Sequence, residues 1–320
     1  MLEEIEKMIP TGILPVIRLD DSRHAVPLAK ALYSGGIPTI EVTLRSDSAL
    51  ESIRKIKTEF PAMAVGAGTV LSERLANQAM DAGADFLVSP GLNPKTVAYC
   101  LKKGAAIIPG AVTATDIELG MSLGLRVFKY FPAEQMGGLP AIQLLSGPFP
   151  QVKFIPTGGL GYPLLPGYLA KDFILACGGS YMAGGELIRQ ERWQEIQRLS
   201  RAAVKISMGF ELAHIGINHE NPKQAEDAAS WFCSAFDFEA FDRGNAVFAG
   251  TAVESLKGKF SGTKGHIGFS TLSMSRAMAY LRAKGFRFRE DSVVTGDDGK
   301  PKWAYFADEI YGFAVHIIQK

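Results

Sequence analysis

The feature that most constrains the fold is a unit that recurs eight times between Gly12 and about Met182. In each unit a short apolar run is followed by a stretch with helical periodicity. The runs read ILPVIR, TIEVTLR, AVGAGTV, DFLVSPG, AAIIPGAVT, RVFKYFPAE, KFIPTGG and FILACGGS. Helical stretches such as SRHAVPLAKALYSGG end on Gly, which is typical of a helix C-terminus. Eight such units predict an α/β fold, a parallel (β/α)8 TIM barrel, with a doubly wound open sheet as the alternative.

The segment GELIRQERWQEIQRLSRAAVKI has helical periodicity and is predicted as the last barrel helix. The pattern then changes near residues 206–210, after which strands alternate and turns become polar. The sequence therefore predicts two domains, residues 1–206 and residues 211–320. A chain of 320 residues is long enough for both.

The second part contains an internal repeat. AHIGIN, which begins at Ala213, recurs as GHIGFS, which begins at Gly265, and AVESL (from Ala252) recurs as AVHII (from Ala314). A helical stretch follows the first motif of each copy, and β-hairpin sequence comes next. We therefore expect two paired βαβββ modules that together form a small α+β domain.

Composition narrows the classes of partner. Lys and Arg total 34 against 33 for Asp and Glu, so global charge gives no reason to expect nucleic acid or an anionic membrane surface. A small molecule is the expected partner. The three cysteines form no CxxC pair, which favours a reducing compartment. The first residues are acidic and the apolar run is broken by Pro10 and Pro15, so we expect no signal peptide, no membrane span and a cytoplasmic location.

One predicted strand carries an inward row of polar residues. Side chains alternate along a strand, so Glu41, Thr43 and Arg45 share one face, and the apolar face of a barrel strand is expected to pack on the helices. A buried Glu–Arg pair that holds the barrel together is the structural alternative. Three polar residues in one inward row are costly for structure alone, so the pattern favours a functional site.

Lys129 lies in the run VFKYFPAE, between the aromatic residues Phe128, Tyr130 and Phe131. Burial penalises the charged ammonium, so an apolar surround favours the neutral amine, which can attack a ketone to form a Schiff base. The alternative is a lysine that extends its charge to water between helices. Taken alone, this residue leaves both interpretations open.

Glycine-rich turns follow the seventh and eighth predicted strands. PTGG ends at Gly159 and CGGS ends at Ser180. Barrels commonly build a phosphate site there from backbone N–H groups, and the hydroxyls of Thr157 and Ser180 can add donors. This placement favours a phosphorylated substrate.

Taken together, GILPVIR, IEVTLR, GAGTV, SPG, PGAVT, FKYFPAE, PTGG and ACGGS closely resemble the 2-keto-3-deoxy-6-phosphogluconate aldolases, a family that includes the 4-hydroxy-2-oxoglutarate aldolases. The resemblance covers residues 1–206. It implies a class I (Schiff-base) aldolase without a metal or other cofactor, a homotrimer, and a substrate that is a phosphorylated 2-keto acid. Pyruvate and an aldehyde would be the products.

The resemblance also implies roles for individual residues. Lys129 would be the Schiff-base lysine and Glu41 the general acid/base. Arg45 and Thr69 would hold the substrate carboxylate. The remaining substrate-binding residues would be Arg18, Thr157, Gly158, Gly159, Gly179 and Ser180. The alternative enzyme is a phosphate-binding isomerase or epimerase in which Lys129 acts only electrostatically.

The repeat in the second part aligns His214 with His266 and Glu254 with His316. A twofold arrangement of the two modules would bring these four side chains together, and imidazole and carboxylate suit a divalent transition metal. The alternative is that these four side chains have only structural roles and bind no metal. Residues 211–320 resemble the vicinal oxygen chelate group, which includes glyoxalases and dioxygenases. A module that only binds a ligand or braces an oligomer is the non-enzymatic alternative.

Overall fold

The computed structural model describes residues 2–320, which divide into two compact units, one ending at Ser207 and one from Met208 to Lys320. Among the helices of this described part, none combines the length with the apolar character that a membrane crossing requires.

The strands of the N-terminal unit alternate with helices. The strands are β1 (Ile13–Ile17), β2 (Thr39–Thr43), β3 (Ala64–Gly68), β4 (Phe86–Val88), β5 (Ala106–Ile108), β6 (Val127–Tyr130), β7 (Lys153–Pro156) and β8 (Cys177–Gly179). The helices are α1 (Leu2–Met8), α2 (Ala25–Ser34), α3 (Ala49–Glu59), α4 (Glu73–Asp81), α5 (Pro94–Lys102), α6 (Ala114–Ser122), α7 (Gly138–Ser146), α8 (Leu165–Leu169), α9 (Gly185–Arg189) and α10 (Trp193–Met208).

Parallel pairing closes these strands into a ring. The order β5-β4-β3-β2-β1-β8 forms one sheet, and β6 pairs with β7. Parallel bridges from Gly110 to Lys129 and from Thr157 to Gly178 join the two groups at both sides. The predicted (β/α)8 barrel-like domain is confirmed, and an open sheet would lack this closure.

Apolar side chains fill the barrel toward the N-terminal ends of its strands. Ile5 of α1 and Ile9 just after it pack into the ring and close that end. The buried strand residues in this cluster are Leu14, Phe86, Val88, Ala106, Ile108, Val127, Ile155 and Ala176. Each such fully buried large side chain contributes roughly 1.5–3 kcal/mol. The opposite ends of the strands are thereby left for polar side chains.

The prediction of one continuous last barrel helix is wrong, because the structure divides this segment into two helices, α9 and α10. Glu191 lies between them with φ of 54°, a left-handed conformation that interrupts the helical hydrogen bonds. The sequence has no Pro or Gly at this point, so helical periodicity continued across the break.

The C-terminal unit is built from the elements β9 (Glu211–Asn218), α11 (Pro222–Phe236), β10 (Ala240–Asp242), β11 (Ala246–Ala249), β12 (Val253–Leu256), β13 (Gly265–Thr271), α12 (Met274–Ala283), β14 (Val294–Thr295), β15 (Pro301–Tyr305) and β16 (Phe313–Gln319). Its strands form one sheet in the order β10-β11-β12-β9-β13-β16-β15-β14. The antiparallel pair β9–β13 lies at the centre. β12 runs parallel to β9 as β16 runs parallel to β13, so the two halves of the sheet are arranged alike.

Candidate active site and candidate metal site

Lys129 lies in the barrel interior, nearer than the apolar cluster to the C-terminal ends of the strands. Val127, two residues earlier on β6, belongs to that cluster, and alternation along the strand points Lys129 the same way. The Lys129 Nζ donates a hydrogen bond of 3.2 Å to Glu41 Oε1 on β2. The two residues are only 7% and 1% exposed. A buried ion pair adds little stability compared with apolar packing, so this pair is better explained by chemistry.

Glu41 occupies space that a neighbouring glycine leaves open. A Cβ built on Gly68 of β3 would lie 2.1 Å from Glu41 Oε1, so only glycine fits opposite this carboxylate. The other oxygen, Oε2, is buried and has no hydrogen-bond partner among residues 2–320. An unpartnered buried carboxylate oxygen is costly, which marks it as a group available to a substrate or a water molecule.

The aromatic neighbours of Lys129 do not surround its amine as the sequence suggested. Phe128 and Tyr130 point to the other side of β6, where Phe128 packs next to Gly120 of α6. Phe131 alone of the three comes near, with its ring centroid 5.6 Å from Nζ. The desolvation of Lys129 therefore comes mainly from the barrel interior.

Glu41 pairs with Lys129 rather than with Arg45, so the structural Glu–Arg alternative is wrong. Thr43 is buried and donates a hydrogen bond of 3.1 Å to the Ile17 carbonyl. Arg45 lies just beyond β2 with an exposed side chain, and its Nε donates to Thr43 Oγ1 at 3.4 Å. The guanidinium is therefore at the strand's C-terminal end and free to reach a ligand.

Thr69 and Arg18 also follow strand ends. Thr69 comes directly after β3 and has φ of 61°, which is unusual for a β-branched residue and is a form of strain found most often at functional sites. Arg18 comes directly after β1, is exposed, and its Nε donates to Asp20 Oδ1 at 2.8 Å. Both residues therefore lie at the rim of the barrel, which the C-terminal ends of its strands form, and neither contacts Lys129.

The glycine-rich turns after β7 and β8 lie side by side, because Thr157 bridges to Gly178. Gly158 and Gly159 have φ of 99° and 78°, a left-handed conformation that favours glycine. Neither of their N–H groups, nor that of Ser180, has a hydrogen-bond partner within residues 2–320. Successive free N–H groups in such a turn form a concavity suited to an anion.

In the C-terminal unit, three of the four predicted ligand side chains, His214, His266 and His316, form one cluster, and Glu254 approaches two of them. His214 Nε2 lies 3.1 Å from His266 Nε2 and 3.2 Å from His316 Nε2. Glu254 Oε2 lies 3.1 Å from His266 Nε2 and 3.5 Å from His214 Nε2. Ligand atoms bound to one ion at about 2.1 Å are about 3.0 Å apart at right angles and about 3.4 Å apart at the tetrahedral angle. The observed spacing fits a transition-metal ion.

Two glycines make room for these rings. Gly216 of β9 lies between His266 and Glu254 on the neighbouring strands, and Gly268 of β13 lies between His214 and His316. A Cβ on Gly216 would be 2.2 Å from the His266 ring. The repeated HIG triplet thus supplies both a ligand and the gap that the opposite ligand occupies.

Burial keeps the imidazoles of His214 and His316 in the form that binds metal. Desolvation, with the neighbouring His214 and His266, lowers the pKa of His316 to about 2, and desolvation likewise lowers the pKa of His214. Neutral imidazole is the metal ligand.

Sequence reasoning missed the aromatic wall of this cluster. Trp303 of β15 stacks on His316 with ring centroids 3.7 Å apart, and Tyr305 lies 5.0 Å from the same ring. Phe248 of β11 meets His214 edge-on at 6.3 Å. The sequence signal that could have revealed these rings is the spacing of Trp303 and Tyr305, which places both side chains on one face of the same strand.

A buried lysine amine held against a buried carboxylate at the C-terminal side of a parallel barrel defines a class I aldolase type of site. The family model for KDPG and KHG aldolase matches residues 5–199. The chain belongs to the KDPG and KHG aldolase family, and its N-terminal unit is a class I aldolase, a lyase.

Individual relatives support the same family assignment. The chain is 42% identical over 206 residues to the 2-dehydro-3-deoxy-phosphogluconate aldolase of Treponema pallidum, covering 64% of this chain and 98% of the relative. It is 41% identical over 201 residues to the KHG/KDPG aldolase of Escherichia coli, covering 62% and 94%. The KDPG aldolase of Legionella pneumophila, solved with pyruvate as a covalent carbinolamine, is 35% identical with a TM-score of 0.60, covering 61% of this chain and 95% of that one.

Proposed function

We propose that the N-terminal unit, residues 1–206, cleaves 2-keto-3-deoxy-6-phosphogluconate to pyruvate and glyceraldehyde 3-phosphate. 4-Hydroxy-2-oxoglutarate, which would give pyruvate and glyoxylate, is the second substrate. The observation that carries this proposal is the 3.2 Å contact of Lys129 Nζ with Glu41 Oε1 inside the barrel. The relatives' names and the carbinolamine of the Legionella protein support the choice of substrate and of chemistry.

In the proposed reaction, the Lys129 amine adds to the C2 ketone and water leaves, which gives an iminium. Glu41 removes the proton from the C4 hydroxyl, directly or through a water molecule. The C3–C4 bond then breaks, its electrons pass into the iminium to form an enamine, and C4 leaves as the aldehyde. Protonation of the enamine at C3 and hydrolysis release pyruvate and free the amine.

The carboxylate of the substrate is assigned to the rim near Lys129. Arg45 can hold it through a bidentate pair, which would orient C2 toward the amine, and Thr69 and Arg18 are the other groups at the neighbouring strand ends. Lys129 itself lies deeper, so a carboxylate at the rim leaves the ketone pointing inward.

The phosphate is assigned to the turns after β7 and β8. The unpartnered N–H groups of Gly158, Gly159 and Ser180 supply donors, and the hydroxyls of Thr157 and Ser180 can supply more. Gly179 keeps the second turn free of a side chain, which lets an oxyanion approach the backbone.

The proposed activity is tested by pyruvate release from the phosphorylated substrate, coupled to NADH oxidation by lactate dehydrogenase. The full chain is expected to release pyruvate, and the Lys129→Ala variant is expected to release none above background. An isomerase or epimerase would convert its phosphorylated substrate without producing pyruvate. The proposed homotrimer is tested separately by light scattering of the full chain.

For residues 211–320 we propose a metal-binding domain of the vicinal oxygen chelate type. His214, Glu254, His266 and His316 would hold a divalent transition-metal ion such as zinc, iron, nickel or manganese. A bound ion would supply Lewis-acid polarisation of a ligand oxygen. The cluster of His214, His266 and His316, with Glu254 close to two of these rings, supports the proposal.

A further inference from the structure

Glu134, which follows the reactive strand, holds the start of the proposed phosphate turn through its backbone. The Glu134 N–H donates a hydrogen bond of 3.2 Å to the Gly158 carbonyl, and the preceding Ala133 N–H donates one of 2.8 Å to the Thr157 carbonyl. These bonds direct both carbonyls of the turn toward residues 133–134. The N–H groups of Gly158 and Gly159 have no such partners within residues 2–320.

The side chain of Glu134 holds the other end of the same segment. Tyr168 of α8, the helix that follows the turn, donates its hydroxyl to Glu134 Oε1 at 2.5 Å. Tyr168 is 2% exposed, so its position is fixed by packing. One residue therefore ties both ends of the chain from Gly158 to Tyr168.

The fit between Glu134 and the turn is close. A Cβ on Gly159 would lie 2.7 Å from the Glu134 Cβ, so the stem of Glu134 lies directly against the turn. A Cβ on Gly138 would lie 3.2 Å from both Glu134 Oε1 and the Tyr168 hydroxyl, so Gly138 leaves the space in which they meet.

We propose that Glu134 is a positioning residue that, through Tyr168 and its own backbone, holds the Gly158–Gly159 turn in the shape that receives the phosphate. This inference rests on the phosphate site of the proposed function. A carboxylate near a phosphate would by itself weaken anion binding, so its presence here points to organisation of the turn. A donor set that is already ordered costs less entropy when the ligand binds.

The test compares cleavage of 2-keto-3-deoxy-6-phosphogluconate with cleavage of its dephosphorylated counterpart. Tyr168→Phe and Glu134→Ala are expected to raise KM for the phosphorylated substrate about three- to tenfold, since each removes one strong hydrogen bond. The KM for the dephosphorylated substrate and kcat for both should change less than about twofold. Glu134→Gln keeps an acceptor for Tyr168 and is expected to restore KM.

Tyr99→Phe is the matched control, because the Tyr99 hydroxyl donates to Asn77 Oδ1 at 3.2 Å, on helices away from the turn. It should leave both substrates unaffected. Equal losses on both substrates, or a lower KM for the phosphorylated one in Glu134→Ala, would overturn the positioning role. A wild-type enzyme without preference for the phosphorylated substrate would instead refute the phosphate site itself, and the inference with it.

Discussion

Lys129 Nζ and Glu41 Oε1 are hydrogen-bonded at 3.2 Å in the barrel interior, although 88 positions separate the two residues in the chain. The first is the proposed nucleophile and the second the proposed acid/base. Because Glu41 Oε2 has no partner within residues 2–320, the carboxylate can hold the amine with one oxygen and act on the substrate with the other.

Glu41→Gln should lower kcat for cleavage by about 10²–10⁴-fold, because an amide cannot accept the C4 hydroxyl proton. Steady-state pyruvate release measures this loss. Glu51→Gln, on the exposed face of α3, is the control and should retain wild-type kcat. Near-normal cleavage by Glu41→Gln would show that another group moves the proton.

Gly159→Ala should raise KM for the phosphorylated substrate, because the new Cβ would meet Glu134 and distort the turn. The φ of 78° adds a cost of roughly 1–2 kcal/mol for a residue with a Cβ. Gly104→Ala is a matched control, since Gly104 has φ of 72° and no atom within 4 Å of a built Cβ. It should reduce thermal stability similarly but leave KM unchanged, and an equal rise in KM would argue against a phosphate role for Gly159.

The full chain, purified without chelator or added metal, should contain one divalent transition-metal ion per chain by inductively coupled plasma mass spectrometry. His266→Ala should lose most of it, because His266 lies within 3.1 Å of both His214 Nε2 and Glu254 Oε2. His219→Ala, which removes a histidine outside the cluster, should keep the ion. If the wild-type protein remains metal-free even after incubation with zinc, iron, nickel or manganese, the metal-binding proposal is wrong.

Thiol labelling at pH 8 tests the packing of the barrel helices. Burial raises the pKa of Cys100 to about 11, so only about one thiol in 10³ is ionised at this pH and the native protein should label slowly there. The half-buried Cys233 should label first. Peptide mapping after timed alkylation gives the order, and fast labelling of Cys100 below pH 9 would contradict its burial.

The sequence predicted the barrel because its signals are local. Apolar runs, helical periodicity and terminal glycines repeat along the chain, so each unit can be recognised without knowing its neighbours. The internal repeat likewise predicted that His214, His266 and His316 lie together, since matching positions meet when two modules pair. The break at Glu191 was missed because no residue there signals the end of a helix.

Contacts between distant strands were harder to predict. Glu41 was weighed against Arg45, its neighbour on the same strand, whereas its partner Lys129 lies across the barrel. Phe128 and Tyr130 adjoin Lys129 in the chain but point to the other face of β6. The stacking of Trp303 on His316 depends on the register of β15 with β16, which no local pattern specifies.

Borohydride reduction in the presence of pyruvate, followed by intact mass and peptide mapping, tests the central claim most directly. A stable pyruvyl adduct is expected on Lys129 in the wild-type protein and in Glu51→Gln, and none is expected in Lys129→Ala. A folded wild-type protein that forms no adduct, or forms it on another lysine, would contradict the role assigned to Lys129.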